Sequence, residues 1–96
     1  MEIVNTLPAQ ARVWVYQADR PFAEEVVPEV EQHMRKFTQQ WVSHNRALRA
    51  EAAVLENRFV VLAVDESQAG ASGCSIDSSV AFLKKLGEVY ERDLFD

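Results

Sequence analysis

The sequence predicts an α+β fold, a two-layer sandwich with elements in the order β-α-β-β-α. Two runs rich in β-branched and aromatic residues, Arg12–Gln17 and Phe59–Val64, are typical of strands. Two other segments carry apolar residues at helical spacing and predict helices. A chain of 96 residues has the size of one domain, so residues 1–96 are treated as a single unit.

The first helix follows the strand Arg12–Gln17 and a turn at Asp19-Arg20-Pro21. Its apolar stripe has the spacing i, i+4, i+7 and i+11: Val30, Met34, Phe37 and Trp41. Proline suits only the first turn of a helix, so the helix is predicted to start at or just before Pro28. Ser43-His44-Asn45 is predicted to end it, because Asn45 tolerates the left-handed conformation of a C-cap.

The second half of the chain predicts a hairpin and a helix. Leu48–Leu55 is ambiguous, since alanine-rich segments also suit helices, and context favours a strand. The turn Glu56-Asn57-Arg58 joins it to the apolar run Phe59–Val64. After a small polar loop at 65–73, a helix is predicted from about Ile76 to Glu91. Its buried stripe is Ile76, Val80, Leu83, Leu86 and Tyr90.

These elements predict one sheet topology. A right-handed crossover makes the first two strands parallel, and the hairpin makes the third strand antiparallel to both. The third strand is apolar on both faces, so it is expected in the middle, with both helices on one face. This is a ferredoxin-like layout without a full fourth strand, for which Asp93-Leu94-Phe95 offers only a stub.

The other face of this sheet has no predicted cover. The first strand places Val13 and Val15 on one side and Trp14 and Tyr16 on the other. Large exposed apolar patches mark interfaces or ligand grooves. We therefore expect a homodimer or a protein partner at the open sheet face or edge, with Trp14 and Tyr16 as interface residues. The alternative is a cover supplied by the N-terminal arm, residues 1–11.

The composition argues against several classes of function. The net charge is −5, with ten basic residues scattered among fifteen acidic ones, whereas nucleic-acid binders carry a basic stripe. The same balance disfavours an anionic membrane surface, and no apolar run approaches the ~18 residues of a membrane span. The N-terminus lacks the pattern of a signal peptide, and a single cysteine makes no internal disulfide. We expect a cytoplasmic protein without nucleic-acid or membrane partners.

The loop before the last helix, residues 70–79, is the candidate site. Ser75 or Asp77 suits the helix cap, and the free amides of a helix N-terminus attract anions and activate a nearby thiol, here Cys74. The candidate ligand is a small anion. Its candidate binding residues are Gly70, Ser72, Gly73, Ser75 and Asp77. The structural alternative is that these residues form only a turn and a cap, with Cys74 as a small buried hydrophobe.

Cys74, His44 and Asp65 are candidate catalytic residues. In such a set the imidazole takes the thiol proton and the carboxylate orients the imidazole. His44 suits equally well a role as a dipole partner at a helix C-terminus. No Gly-x-x-x-x-Gly-Lys-Ser/Thr phosphate loop is present, and one Cys with two distant His predicts no metal. No cofactor is predicted, and enzymatic activity stays undecided.

Several segments resemble a family of small, uncharacterised bacterial proteins, some of which are named automatically as "ABC transporter ATPase". The resemblance lies in residues 12–17, 41–44, 58–66 and 72–79, and the block Ser72-Gly73-Cys74-Ser75-Ile76-Asp77 is its most specific part. The ATPase name does not fit this chain, which lacks the phosphate loop. The resemblance implies a bacterial, cytoplasmic setting and the fold above, and it assigns no catalytic role to any residue.

Three functional hypotheses follow from the sequence. The first is a small interaction module, homodimeric or partner-binding, that uses the open sheet face and the loop at 70–79. The second is a thiol-dependent enzyme or redox sensor that uses Cys74. The third is a sensor of a small anion or metabolite at the N-terminus of the last helix.

Overall fold

The computed structural model describes residues 11–66 and 69–95, so the predicted N-terminal arm, apart from Ala11, lies outside the described residues. The α+β prediction is confirmed. The elements, in chain order, are β1 (Arg12–Gln17), a 3-10 turn (Glu24–Val26), α1 (Val27–Gln40), β2 (Val42–Ser43), β3 (Arg46–Ala47), β4 (Arg49–Leu55), β5 (Phe59–Asp65) and α2 (Gly73–Tyr90).

The main sheet has three strands in the order β1-β5-β4, and β5 is antiparallel to both neighbours. The predicted central position of the most apolar strand is confirmed. A tight turn joins β4 to β5, in which the Arg58 N–H donates to the Leu55 carbonyl at 3.0 Å. Glu56 and Asn57 have φ values of 54° and 55°. Positive φ at both central residues matches the twist of a hairpin.

The hydrophobic core lies between one face of the sheet and both helices, as predicted. The side chains of Val60, Leu62 and Val64 from β5 meet apolar residues of both helices there. The helix residues in this core are Val30 and Met34 of α1 and Leu83 and Leu86 of α2. Trp14 and Tyr16 of β1 pack against the same core, so the helix layer covers the even-numbered side chains of β1.

The predicted end of the first helix is wrong by several residues. Helix α1 ends at Gln40, and Trp41 is already extended, with φ −76° and ψ 125°. His44 and Asn45 do adopt left-handed conformations, with φ values of 51° and 66°, but they form the turn of the β2–β3 hairpin. This hairpin was not predicted, because two-residue strands carry no periodicity.

The C-terminus also differs from the prediction. Residues 93–95 form a turn and not a strand, so the described residues do not show a ferredoxin-like sheet. The Leu94 side chain is 1% exposed and belongs to the core, while the Asp93 carbonyl accepts a hydrogen bond from the Asp19 N–H at 2.9 Å. The segment therefore closes the core at the end of β1 instead of extending the sheet.

Candidate functional site

Helix α2 begins at Gly73, three residues earlier than predicted, because Ser72 and Ser75 form a capping box. The Ser75 N–H donates to the Ser72 Oγ at 3.2 Å, and the Ser72 N–H donates to the Ser75 Oγ at 2.6 Å. Ser75 is buried. Two of the predicted ligand-binding side chains are thus engaged with each other, which is the arrangement that stabilises a helix N-terminus.

The loop before α2 holds a carboxylate that sequence reasoning overlooked. The Glu66 Oε2 accepts a hydrogen bond from the Ala71 N–H at 2.8 Å and lies 3.9 Å from an Arg12 guanidinium nitrogen. It also lies near Gly70, where an added Cβ would be 3.3 Å from that oxygen. A carboxylate at this position repels an anion, so the loop is a poor anion site. The only sequence signal was an acidic residue directly after a buried strand.

The remaining predicted loop residues are open to solvent. Gly70, Gly73 and Asp77 are exposed. No described glycine has a positive φ, and an added Cβ at Gly73 would meet no atom within 4 Å. Gly73 therefore serves neither a left-handed turn nor a close approach of another group within the described structure.

Cys74 is exposed and is the second residue of α2. The alternative of a small buried hydrophobe is therefore wrong. A buried side chain holds the first turn of α2 in place, since Trp41 donates its Nε1–H to the Ser75 carbonyl at 2.8 Å. Cys74 is therefore exposed at a capped helix end.

The three candidate catalytic residues lie in different environments, since Asp65 is buried whereas His44 and Cys74 are exposed. Asp65 is 4% exposed, and its carboxylate accepts a hydrogen bond from the Arg49 Nη1 at 3.2 Å. Asp65 alternates with the core residue Val64, so its side chain lies on the sheet face opposite the helices. His44 is exposed in the β2–β3 turn, and no hydrogen bond joins His44, Cys74 and Asp65 in the part of the chain described.

Strand β1 presents an open surface on its outer side, which comprises the edge away from β5 and the face away from the helices. Val13 is 40% exposed and Val15 is 60% exposed, on the face away from the helices. The Ala18 N–H donates to the Arg58 carbonyl at 2.9 Å, which continues the β1–β5 ladder. Because antiparallel ladders alternate, the main-chain groups of Val13, Val15 and Gln17 point outward. No strand among residues 11–66 and 69–95 pairs with this edge.

The predicted interface side chains occupy the other face of β1. The Trp14 ring lies 6.0 Å from the Trp41 ring, and the Tyr16 ring lies 5.5 Å from the Phe95 ring. Both residues are half-buried by these contacts. The apolar side chains of β1 that remain free for a partner are Val13 and Val15.

The opposite edge of the sheet is protected. Helix α1 lies along β4, and the Glu31 carboxylate accepts the Val54 N–H at 3.1 Å. Arg49 and Glu51 add exposed charges to the same strand. Such features keep an edge strand from pairing with other chains, and the described part of β1 lacks them apart from Arg12.

Other classes of site find little support in the described residues. Within 11–66 and 69–95, no group of three or more His, Cys, Asp or Glu residues is placed to hold a metal ion. The helices of the described chain are too short or too polar to cross a membrane. Comparison with models of protein families, with curated proteins and with solved structures finds no match to this chain.

Proposed function

We propose that this chain is a small interaction module that associates, with itself or with another protein, through the outer side of β1. The observation that supports the proposal is a strand edge that pairs with no strand among residues 11–66 and 69–95, combined with two exposed valines, Val13 and Val15. Binding by strand addition uses such an edge for main-chain hydrogen bonds and the adjacent side chains for specificity.

The exposed groups give the expected strength of binding. The exposed parts of Val13 and Val15 add up to about the surface of one valine side chain. Covering that surface would stabilise a complex by roughly 1.5–3 kcal/mol. Each new main-chain hydrogen bond adds about 0.5–1.5 kcal/mol. Association itself costs about 4–15 kcal/mol. We therefore expect reversible binding that depends on concentration.

The setting of the proposed module follows the sequence-based expectations. The net charge of −5 supports a protein partner over a nucleic acid. We also propose that the protein works in a bacterial cytoplasm and belongs to the family that shares the Ser72–Asp77 block. The loop at 70–79 is a weaker candidate for the contact surface than β1, because its Ser72 and Ser75 hydroxyls serve the helix cap.

Paired substitutions test the proposal. V13K/V15K should weaken self-association in sedimentation experiments across a wide concentration range, or weaken capture of a defined partner by the tagged protein. V89K is the matched control, since Val89 of α2 is 63% exposed and Val15 is 60% exposed. If V13K/V15K changes neither self-association nor partner capture while remaining folded, the proposed surface is wrong.

A second candidate function is a thiol-dependent role, which the exposure of Cys74 at the start of α2 favours. Reactive cysteines are accessible and lie in settings that stabilise the thiolate. A disulfide reagent should then label the native protein faster than the urea-unfolded chain. Equal or slower labelling of the native protein would leave Cys74 as an ordinary surface thiol.

A further inference from the structure

We infer that the partner of β1 is a second copy of this chain, which pairs antiparallel with β1 about a two-fold axis at Val15. The inference rests on the proposed function and specifies its partner. The result would be one continuous six-stranded sheet, with the helices of both copies on the same face.

The main chain of β1 is self-complementary in this register. Val13, Val15 and Gln17 present their outward N–H and carbonyl groups at every second residue. A two-fold axis at Val15 places it opposite the partner's Val15, and places Val13 opposite the partner's Gln17. All outward groups of these three residues then find partners, as an isologous interface requires.

The side chains are compatible with the same register. The two Val15 residues would have Cβ atoms about 4.5–5.5 Å apart and would cover each other's exposed surface. The only charged residue of β1 is Arg12, which would lie opposite the partner's Ala18, so no like charges face each other. Each Val13 would add an apolar neighbour on the same face of the joined sheet.

The contrast between the two sheet edges favours β1 as the edge that pairs. Edges that must stay free are usually blocked by charges, proline or a covering element. The β4 edge has such protection in Glu31, which binds the Val54 N–H, and in the exposed Arg49 and Glu51. Along β1, the only charged residue, Arg12, sits at the end of the strand. Pairing of two six-residue edges buries little surface beside the roughly 1,200–2,000 Å² of a standard interface, so we expect a weak dimer.

Disulfide crosslinking tests the register in the full-length chain. All variants carry C74S, which removes the natural thiol, and are oxidised with copper phenanthroline. V15C should form a covalent dimer, because Cα atoms of a hydrogen-bonded antiparallel pair lie about 5.5 Å apart, within the range that a disulfide spans. V13C alone should not, since the two copies of residue 13 would lie about 14 Å apart. A mixture of the V13C protein and the Q17C protein should form a crosslinked heterodimer. V89C, at an exposed residue of α2, is the control for non-specific crosslinking.

Sedimentation supplies a second readout. V15K places two lysines opposite each other at the two-fold axis, and we expect it to raise the dissociation constant at least about tenfold. A dimer that V13K/V15K abolishes, but in which V15C fails to crosslink, would overturn the register and leave the proposed function standing.

Three other outcomes would overturn the inference. A wild-type chain that stays monomeric at every concentration but captures another protein through β1 would show a different partner. A monomer whose Val15 amide is protected from hydrogen exchange would show that another segment of the same chain, residues 1–10, occupies the edge. A monomer with neither behaviour would overturn the proposed function as well.

Discussion

Gly87, near the end of α2, lies where the chain reverses direction, and its replacement by alanine should destabilise the fold. The Arg92 N–H donates to the Gly87 carbonyl at 2.8 Å, and Glu91 adopts the left-handed conformation, with φ 53°. This is the geometry of a Schellman motif. It brings the Arg92 carbonyl over the helix, so that a Cβ added at Gly87 would lie 2.4 Å from that oxygen.

The size of the effect follows from this contact. Real Cβ atoms essentially never come closer than 3.0 Å, so the Arg92 backbone must move by about 0.6 Å. Extra methyl groups in packed regions cost about 1–3 kcal/mol. Alanine regains up to about 1 kcal/mol as a better helix former than glycine. We expect a net loss of about 1–2 kcal/mol in the free energy of unfolding, and roughly 5–15 °C in Tm.

Gly73→Ala is the matched control, because Gly73 is in the same helix and an added Cβ there meets no atom within 4 Å. Urea denaturation of both variants measures the difference. A Gly87→Ala protein as stable as the wild type, or more stable, would refute the contact argument. The companion change Glu91→Gly should stabilise the protein by about 0.5–1 kcal/mol, since it removes a side chain from a left-handed position.

Three further predictions concern single side chains. Trp41→Phe removes the buried donor to the Ser75 carbonyl and should cost about 1–3 kcal/mol by urea denaturation; a loss under about 0.5 kcal/mol would contradict it. Burial and the hydrogen bond to Glu29 raise the pKa of Tyr90 to about 12. Ultraviolet titration should therefore show one phenol that ionises at unusually high pH, and Glu29→Gln should lower the pH at which it ionises. The stabilisation from neutral Tyr90 is complete below pH 10 and is lost as the pH rises from 10 towards 12, and a urea midpoint that is constant across this window would contradict it. Cys74 should react stoichiometrically with a thiol reagent in the native protein, and protection until unfolding would contradict its exposure.

The part of the fold that sequence predicts well depends on local patterns. Runs rich in β-branched and aromatic residues identified β1 and β5, the i, i+4, i+7 spacing identified α1, and Pro28 located the start of that helix. The apolar character of β5 on both faces predicted its place in the middle of the sheet, because a central strand is the most completely buried one.

The candidate site was harder to predict, because its residues interact over long sequence distances. The Glu66 carboxylate, which accepts the Ala71 N–H, occupies the loop that was predicted to bind an anion. The Arg49–Asp65 hydrogen bond holds that acid on the face away from the helices, which no motif indicates. Local composition identified the polar residues of the loop but not their partners.

The sequence by itself determined which segments form the two helices and the three main strands, and how these strands are ordered, since hydrophobic periodicity and turn residues act within a few positions of each other. Only the tertiary structure decided which face of β1 stays exposed. Trp14 and Tyr16 are half-buried by contacts with Trp41 and Phe95, residues far away in the chain, whereas Val13 and Val15 remain 40% and 60% exposed. Period-two alternation separates two faces of a strand, but packing against distant residues determines which of them meets the core.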